Sequence, residues 1–258
     1  MSARRPDWAW GLWLLVGVPL FLFLFGVPAH LLANSSGLWA QLSTEASRQA
    51  MIVSLWTTTL TLILVVIFGT PLAYAVARGR FPLRRLVDAL IDLPLVLPPA
   101  AAGIGLLLFF GKTGFPGGWL NEHGLGTAFT PTAVVLSQLF VASPFYVRAA
   151  IVAFSGMDHE VEQSAGLDGA RRLTIFHKIT LPLVRKGLSA GAATCWARAM
   201  GEFGATLLFA GNFEGRTQTM PLAIYAGFES DLNSAIAMSC VLLIVALIVL
   251  FLAKLADR

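Results

Sequence analysis

Charge is what this chain has least of. Across 258 residues, Asp, Glu, Lys and Arg together make up 12%, about half the share of an average soluble domain. Hydrophobic residues make up 57%, and the mean hydropathy is +0.75. That balance excludes an ordinary soluble domain and points to a polytopic membrane protein. Cysteine is nearly absent. Cys195 and Cys240 both lie in apolar runs, carry no information on redox compartment and lack metal-ligand spacing. Catalytic signatures are missing too. His30, His123, His159 and His177 are scattered with no HExxH, no GxSxG elbow occurs, and Gly103-x-Gly105 is not followed by aspartate. Gly111-Lys112-Thr113 ends like a phosphate-binding loop, but the glycine required at 106 is Leu106. The chain is therefore expected to hold no nucleotide and to be no enzyme, so energy from ATP must come from a partner. The net charge of +4 does not imply nucleic-acid binding, because membrane topology accounts for where the basic residues lie.

What the chain does have is long apolar runs. Segments long enough to cross a bilayer fall at about 10–32, 51–76, 87–110, 132–154, 183–211 and 233–254. They predict an all-α polytopic membrane protein with six transmembrane helices in one domain over 1–258. The first run follows a charged start, as in a signal peptide, but its apolar stretch exceeds a cleavable core of about 7–15 residues, so it reads as a retained span.

Basic residues orient these spans. One side of the membrane receives Arg4, Arg5, Arg78, Arg80, Arg84, Arg85, Arg148, Arg171, Arg172, Lys178, Arg185, Lys186, Lys254 and Arg258; the other receives only Arg48, Lys112 and Arg216. The positive-inside rule puts both termini and the 155–182 loop in the cytoplasm. Asp88 and Asp92, four residues apart, are expected to pair with Arg84 or Arg85 at a helix start.

Prolines punctuate several spans: Pro19, Pro28, Pro71, Pro94, Pro98, Pro99 and Pro144. The 94–99 cluster is the densest and is followed by small residues, which predicts an irregular start to the third helix and close packing there. Both a cavity-lining break and a plain packing kink fit this pattern. In the fifth span, Arg198 and Glu202 are spaced to share a helical face and pair. Charges in a span face protein or water. Ala197, Gly201 and Ala205 add a small-residue ridge, and Gly187 and Gly191 form a GxxxG. A pathway or subunit-interface helix and a purely structural ion pair both fit.

The long polar interval inside this apolar chain is Glu162 to Pro182, EQSAGLDGARRLTIFHKITLP. It is too polar to span a bilayer and too rich in helix formers for a loose linker, which predicts a short amphipathic helix at the membrane face. The stretch resembles the cytoplasmic EAA coupling loop of ABC-importer permeases. That motif reads Glu-Ala-Ala, then glycine at the seventh position, and closes Ile-x-Leu-Pro. Ala165, Gly169, Ile179, Leu181 and Pro182 match it. Gln163 stands where the glutamate belongs and Ser164 where the first alanine belongs, while Glu162 offers a carboxylate one residue earlier. LPLVLPPAAAGIGLLLFFG (93–111), WARAMGEFGATLLFAGN (196–212) and GRTQTMPLAIY (215–225) are similar to permeases of the molybdate and sulfate oxyanion group, most like the molybdate branch.

The resemblance implies the type I ABC-importer permease fold in a bacterial inner membrane. It implies a homodimer with the pathway at its interface, and two cytoplasmic ABC ATPase subunits holding ATP and Mg that dock on the coupling loop. It further implies an extracytoplasmic oxyanion-binding protein that delivers its cargo near Trp119 and Gly215. Molybdate is the first expectation for that cargo, with tungstate, sulfate and thiosulfate as alternatives. Pathway candidates are Arg198, Gly201, Glu202, Pro98 and Pro99. The competing function is an ion-coupled carrier using Asp92, Arg198 and Glu202. The absence of an inverted repeat and the presence of a coupling loop argue against it.

Overall fold

The computed structural model describes residues 8–35, 38–79 and 81–256. Arg4, Arg5, Arg80 and Arg258, and the Lys254 side chain, lie outside what is described. Every regular element among the described residues is helical. They are α1 (Trp8–Ala33), α2 (Leu38–Leu42), α3 (Glu45–Arg78), α4 (Arg84–Val96), α5 (Pro99–Phe110), α6 (Phe115–Glu122) and α7 (Pro131–Ser155), followed by α8 (His159–Leu167), α9 (Arg172–Ile175), a π-helical turn (Phe176–Thr180), α10 (Leu181–Met200), α11 (Gly204–Ala210), α12 (Met220–Ser230) and α13 (Leu232–Ala256).

Helix α7 is the hub. Its neighbours α3 and α10 pack along it around a core of Val65, Ala73, Ala142, Tyr146, Val147, Phe154 and Cys195. The seam carries buried polar links as well as apolar contact. Gln138 donates to Thr57 Oγ1 at 3.2 Å and accepts from Thr61 Oγ1 at 3.0 Å, and Thr70 shares a 2.6 Å hydrogen bond with Tyr146 Oη. A buried amide satisfied from one neighbouring helix fixes the register of the α3–α7 pair.

Four described segments are long and apolar enough to cross a membrane: Leu14–Ala33, Glu45–Arg78, Pro131–Ser155 and Leu232–Leu252. A fifth forms if α4 and α5, bent by 114°, count as one. The single third span expected over 87–110 is therefore two helices. Prolines inside α1, α3, α4 and α7 leave those helices unbroken, whereas the Pro98–Pro99 pair breaks the chain. Two successive residues without an N–H remove two ladder bonds. Each also pushes the residue before it out of the α region, and Leu97 and Pro98 both have extended ψ values, 127° and 138°. Helix α5 restarts with Ala102 N–H donating to Pro98 O at 3.0 Å. The expected fifth span is likewise interrupted, at Gly201–Phe203, and α10 is too polar to rank with the four apolar segments. The expected connections between spans contain helices of their own, α2, α6 and α12. Helix α12 is tied back to α3 by Met220 N–H donating to Ser54 Oγ at 2.7 Å.

Asp88 and Asp92 do not pair with Arg84 or Arg85. Their i,i+4 spacing turns both carboxylates to the α7 side of α4, where Arg148 Nη1 reaches Asp88 Oδ1 and Nε reaches Asp92 Oδ1, each at 2.5 Å. No residue of α4 is buried, so this clamp is the main polar attachment of the helix to the hub.

The GxxxG of α10 is a contact surface for α7. A Cβ at Gly187 would sit 2.6 Å from Ala153 Cβ, and one at Gly191 would sit 2.6 Å from Ala149 Cβ. Backbones this close leave no room for a side chain. Gly191→Val is expected to cost about 1–3 kcal/mol of overpacking, read as a lower melting temperature in detergent. Gly105→Ala, at a position with nothing within 4 Å, is expected to melt like the parent protein. Equal melting of the two variants would show that α7 and α10 can separate freely.

Candidate coupling and pathway sites

Between α7 and α10 the chain leaves the apolar core and builds a compact polar element. Asp158 caps α8, its Oδ1 accepting from Glu160 N–H at 3.0 Å, and Glu160 and Glu162 place acid in the first turn. The other end closes as a Schellman motif. Gly169 takes φ +83°, its N–H donates to Gly166 O, and Ala170 N–H donates to Ala165 O, both at 3.1 Å. Glycine meets that demand because a left-handed residue carrying a Cβ is strained. The helix presents Gln163, Ser164, Leu167 and Gly169 outward, with Ala165 half-buried and Leu167 89% exposed. Leu173 is 70% exposed beside it, and Arg171, Arg172, Lys178, Arg185 and Lys186 are also exposed. A short capped helix with bare leucines and a basic surround has the make-up of a segment that fits a protein groove.

The motif's Ile-x-Leu-Pro close lies where the polar segment enters the core. Ile179 belongs to the π-helical turn, and Leu181 and Pro182 open α10. Leu181 N–H donates to Phe176 O, five residues back, and Pro182 has no N–H to give. The helical path therefore runs without interruption from Arg172 to Met200, about 40 Å at 1.5 Å per residue. One rod joins the exposed coupling segment to the middle of the bundle.

At the far end of that rod the chain breaks, with Arg198, Gly201 and Glu202 at the break. Arg198 Nη2 lies 2.8 Å from Glu202 Oε2, as the spacing predicts, but not along one helical face, because α10 stops at Met200. Glu202 is 1% exposed, and its Oε1 accepts from Ala205 N–H at 2.9 Å, so the carboxylate caps α11 while neutralising Arg198. The Ala197–Gly201–Ala205 ridge is split by the same break. Pro99 starts α5 against Gly204 at the start of α11, where an added Cβ would lie 3.0 Å from Pro99 Cβ. At Gly103 an added Cβ would lie 2.8 Å from Ala205 O. The two interrupted helices therefore cross backbone to backbone where Pro99 and Gly103 of α5 meet Gly204 and Ala205 of α11; Pro98 precedes that crossing in one chain segment, and Gly201 and Glu202 precede it in the other.

The uncovered side of α10 is unlike a lipid-facing helix. Beyond Leu183, its exposed residues are Arg185, Lys186, Thr194 and Ala197, with Gly201 at its end and Arg198 29% exposed. Helix α1, in contrast, bares leucines, valines and phenylalanines along its described length. A small and polar stripe next to hydrocarbon is costly, so this face belongs against water or protein.

The Arg198–Glu202 pair forms as its spacing predicts, but three partners of Glu162 were not foreseen. Tyr74, Arg78 and Thr180 surround the Glu162 carboxylate. Their only signal was a charged residue at the end of a span, and pairing across such separations is not readable from spacing.

Residues 69–258 match the model of the family described as "Binding-protein-dependent transport system inner membrane component". The molybdenum transport system permease protein ModB of Mycobacterium tuberculosis is 42% identical over 213 residues, which cover 82% of this chain and 80% of that protein. The sulfate transport system permease protein CysW of Escherichia coli is 35% identical over 254 residues, covering 94% and 87% of the two chains. Among solved structures, a bacterial alginate ABC transporter in complex with its alginate pentasaccharide-bound periplasmic protein contains a similar chain. Its TM-score is 0.75 over 98% of this chain and 94% of its own, at 18% identity, which is a likeness of fold.

Proposed function

The chain belongs to the binding-protein-dependent transport system inner membrane components, and from that membership we propose that it is the permease subunit of an ATP-driven importer for a tetrahedral oxyanion, molybdate first. The observation that carries this reading is the rod. A continuous helical path from Arg172 to Met200 starts just past the exposed coupling helix, across the 168–171 turn, and ends at the broken, charge-bearing Arg198–Glu202 site. A push on α8 reaches this path through the 168–171 turn and through Thr180 Oγ1, which donates to Glu162 Oε1 at 2.7 Å, and runs from there along one helix to the Arg198–Glu202 break.

Two copies form the pathway, with the polar face of α10 toward the shared axis and six spans per copy, the third and fifth broken. Both termini are cytoplasmic, and the single domain is 1–258. Two ATPase subunits carrying ATP and Mg dock on Gln163, Ser164, Ala165, Leu167 and Gly169, and their closure moves the base of α10 at Ile179, Leu181 and Pro182. A binding protein releases its anion at the outer face near Trp119 and Gly215. Arg198 offers that anion a cation along the way, and Glu202 keeps the site neutral when empty. Pro98, Pro99 and Gly201 supply the breaks at which the halves can swing. Sulfate is the second cargo to test, because CysW resembles a larger share of the chain, 94%.

The test is uptake of radiolabelled molybdate into proteoliposomes holding the permease with its ATPase and binding protein. Accumulation is expected only with internal-side ATP and with binding protein present, and tungstate is expected to compete better than sulfate. Sulfate competing better would reassign the cargo. Accumulation driven by a proton gradient without ATPase would replace the importer by a carrier.

A further inference from the structure

The carboxylate of Glu162 points inward. Its side chain is 12% exposed although it lies on the exposed helix α8. Oε1 accepts from Thr180 Oγ1 at 2.7 Å and from Tyr74 Oη at 3.3 Å. Oε2 faces Arg78 Nε at 3.8 Å and His159 Nδ1 at 3.9 Å. Thr180 sits in the π-helical turn at the base of α10, and Tyr74 and Arg78 are at the end of α3. Tyr74 also stacks edge-on against Phe154 of α7 and Phe176 of the π-helical turn, with centroids 5.3 and 5.0 Å apart. Arg78 Nη2 donates to Met157 O, just past α7, at 2.7 Å. One side chain from the coupling helix is thus bonded to two hydroxyls, on α3 and at the base of α10, and stands within ion-pair range of Arg78, itself anchored to the chain after α7.

The fit is incomplete in one place. Arg78 Nε is buried and has no hydrogen-bond partner, while the nearest carboxylate oxygen, Glu162 Oε2, is too far away for a hydrogen bond. An unmet buried donor beside an ion-paired acceptor is a contact that a shift of α8 by under about 1 Å would complete, and completing it removes a desolvation cost.

We propose that Glu162 is an internal latch. It ties the coupling helix to α3 and α10, and it closes onto Arg78 when the ATPases draw α8 inward. On this account Glu162 is a positioning residue rather than part of the surface the ATPase touches. That surface is the outer row of Gln163, Ser164, Leu167 and Gly169. The latch rests on the coupling role proposed above, because it transmits the same displacement.

The test uses the complete assembly of permease, ATPase and binding protein in proteoliposomes. The ratio of molybdate imported to ATP hydrolysed is measured for Glu162→Gln, Arg78→Gln and the double variant. Each single change is expected to lower that ratio about tenfold, within the range found for residues along a coupling element. ATP hydrolysis itself should persist. The double variant is expected to be no worse than either single one, because both remove the same link. A normal ratio for Arg78→Gln, or losses that multiply in the double variant, would move Glu162 to the ATPase surface and overturn the latch. If Arg78→Gln does not accumulate in the membrane, Tyr74→Phe removes only the hydroxyl and is expected to lower the ratio about threefold; an unchanged ratio there overturns the latch equally. Absence of ATP-dependent uptake by the unaltered assembly would instead refute the importer reading, a result visible before any variant is compared.

Discussion

Arg198→Gln is expected to destabilise the protein more than Glu202→Gln, although the two residues form one ion pair. Burial decides the order. Glu202 is 1% exposed, whereas the Arg198 side chain is 29% exposed. Removing the arginine strands a buried carboxylate, and breaking a buried pair from one side costs about 3–5 kcal/mol, with the partial exposure of Arg198 favouring the lower end. Removing the carboxylate leaves a cation that can reach water, and glutamine still offers a carbonyl oxygen to Ala205 N–H, so the loss should be about 1 kcal/mol. The double variant buries no charge and should melt close to Glu202→Gln. Thermal unfolding in detergent reads all three. Equal losses for the two single variants would show that the α10–α11 break is not held by this charge. Uptake should follow a different order from stability, because every variant lacking Arg198 loses the cation offered to the anion.

Gly169→Arg is expected to insert into the membrane in normal amount and to lose ATP-driven uptake by more than about tenfold. The position is exposed, its φ is +83°, and an added Cβ would touch nothing within 4 Å. The fold therefore suffers only the local strain of a left-handed side chain, about 1–2 kcal/mol, far from the α3–α7–α10 core. The surface suffers more, because a long cation now stands where the proposed ATPase groove would close on α8. Gly169→Asn tolerates the same backbone and should retain most uptake. Membrane amount by immunoblot and molybdate accumulation in vesicles together check this. Normal transport by the arginine variant would remove α8 as the docking surface.

How legible each part was depended on the range of the interaction behind it. The short helix in the polar interval was readable because its determinants are local. The polar interval stands out against apolar flanks and is rich in helix formers, and the structure adds the Asp158 cap and the Gly169 turn that bound its helix. The Arg198–Glu202 pair was readable for the same reason, four residues being one helical turn. Its setting was not. Periodicity cannot show that α10 ends at Met200, because the break is held by a side chain capping the next helix and by Pro99 resting on Gly204 from another part of the chain. The Asp88 and Asp92 expectation failed similarly. Nearby arginines were available in sequence, but Arg148, from a helix that packs alongside, took both carboxylates.

Composition and short-range pattern determined by themselves that this chain is helical, carries several runs apolar enough to cross a membrane and interrupts them with one long polar, basic-flanked interval, since each depends on residues within a few turns of one another. Only the tertiary structure decided that Glu202 is a cap as well as a counter-ion, and that Glu162 faces α3 and the base of α10 rather than outward. Those outcomes turn on which helix supplies the missing hydrogen bond or charge. That choice is made by packing between segments far apart in the chain.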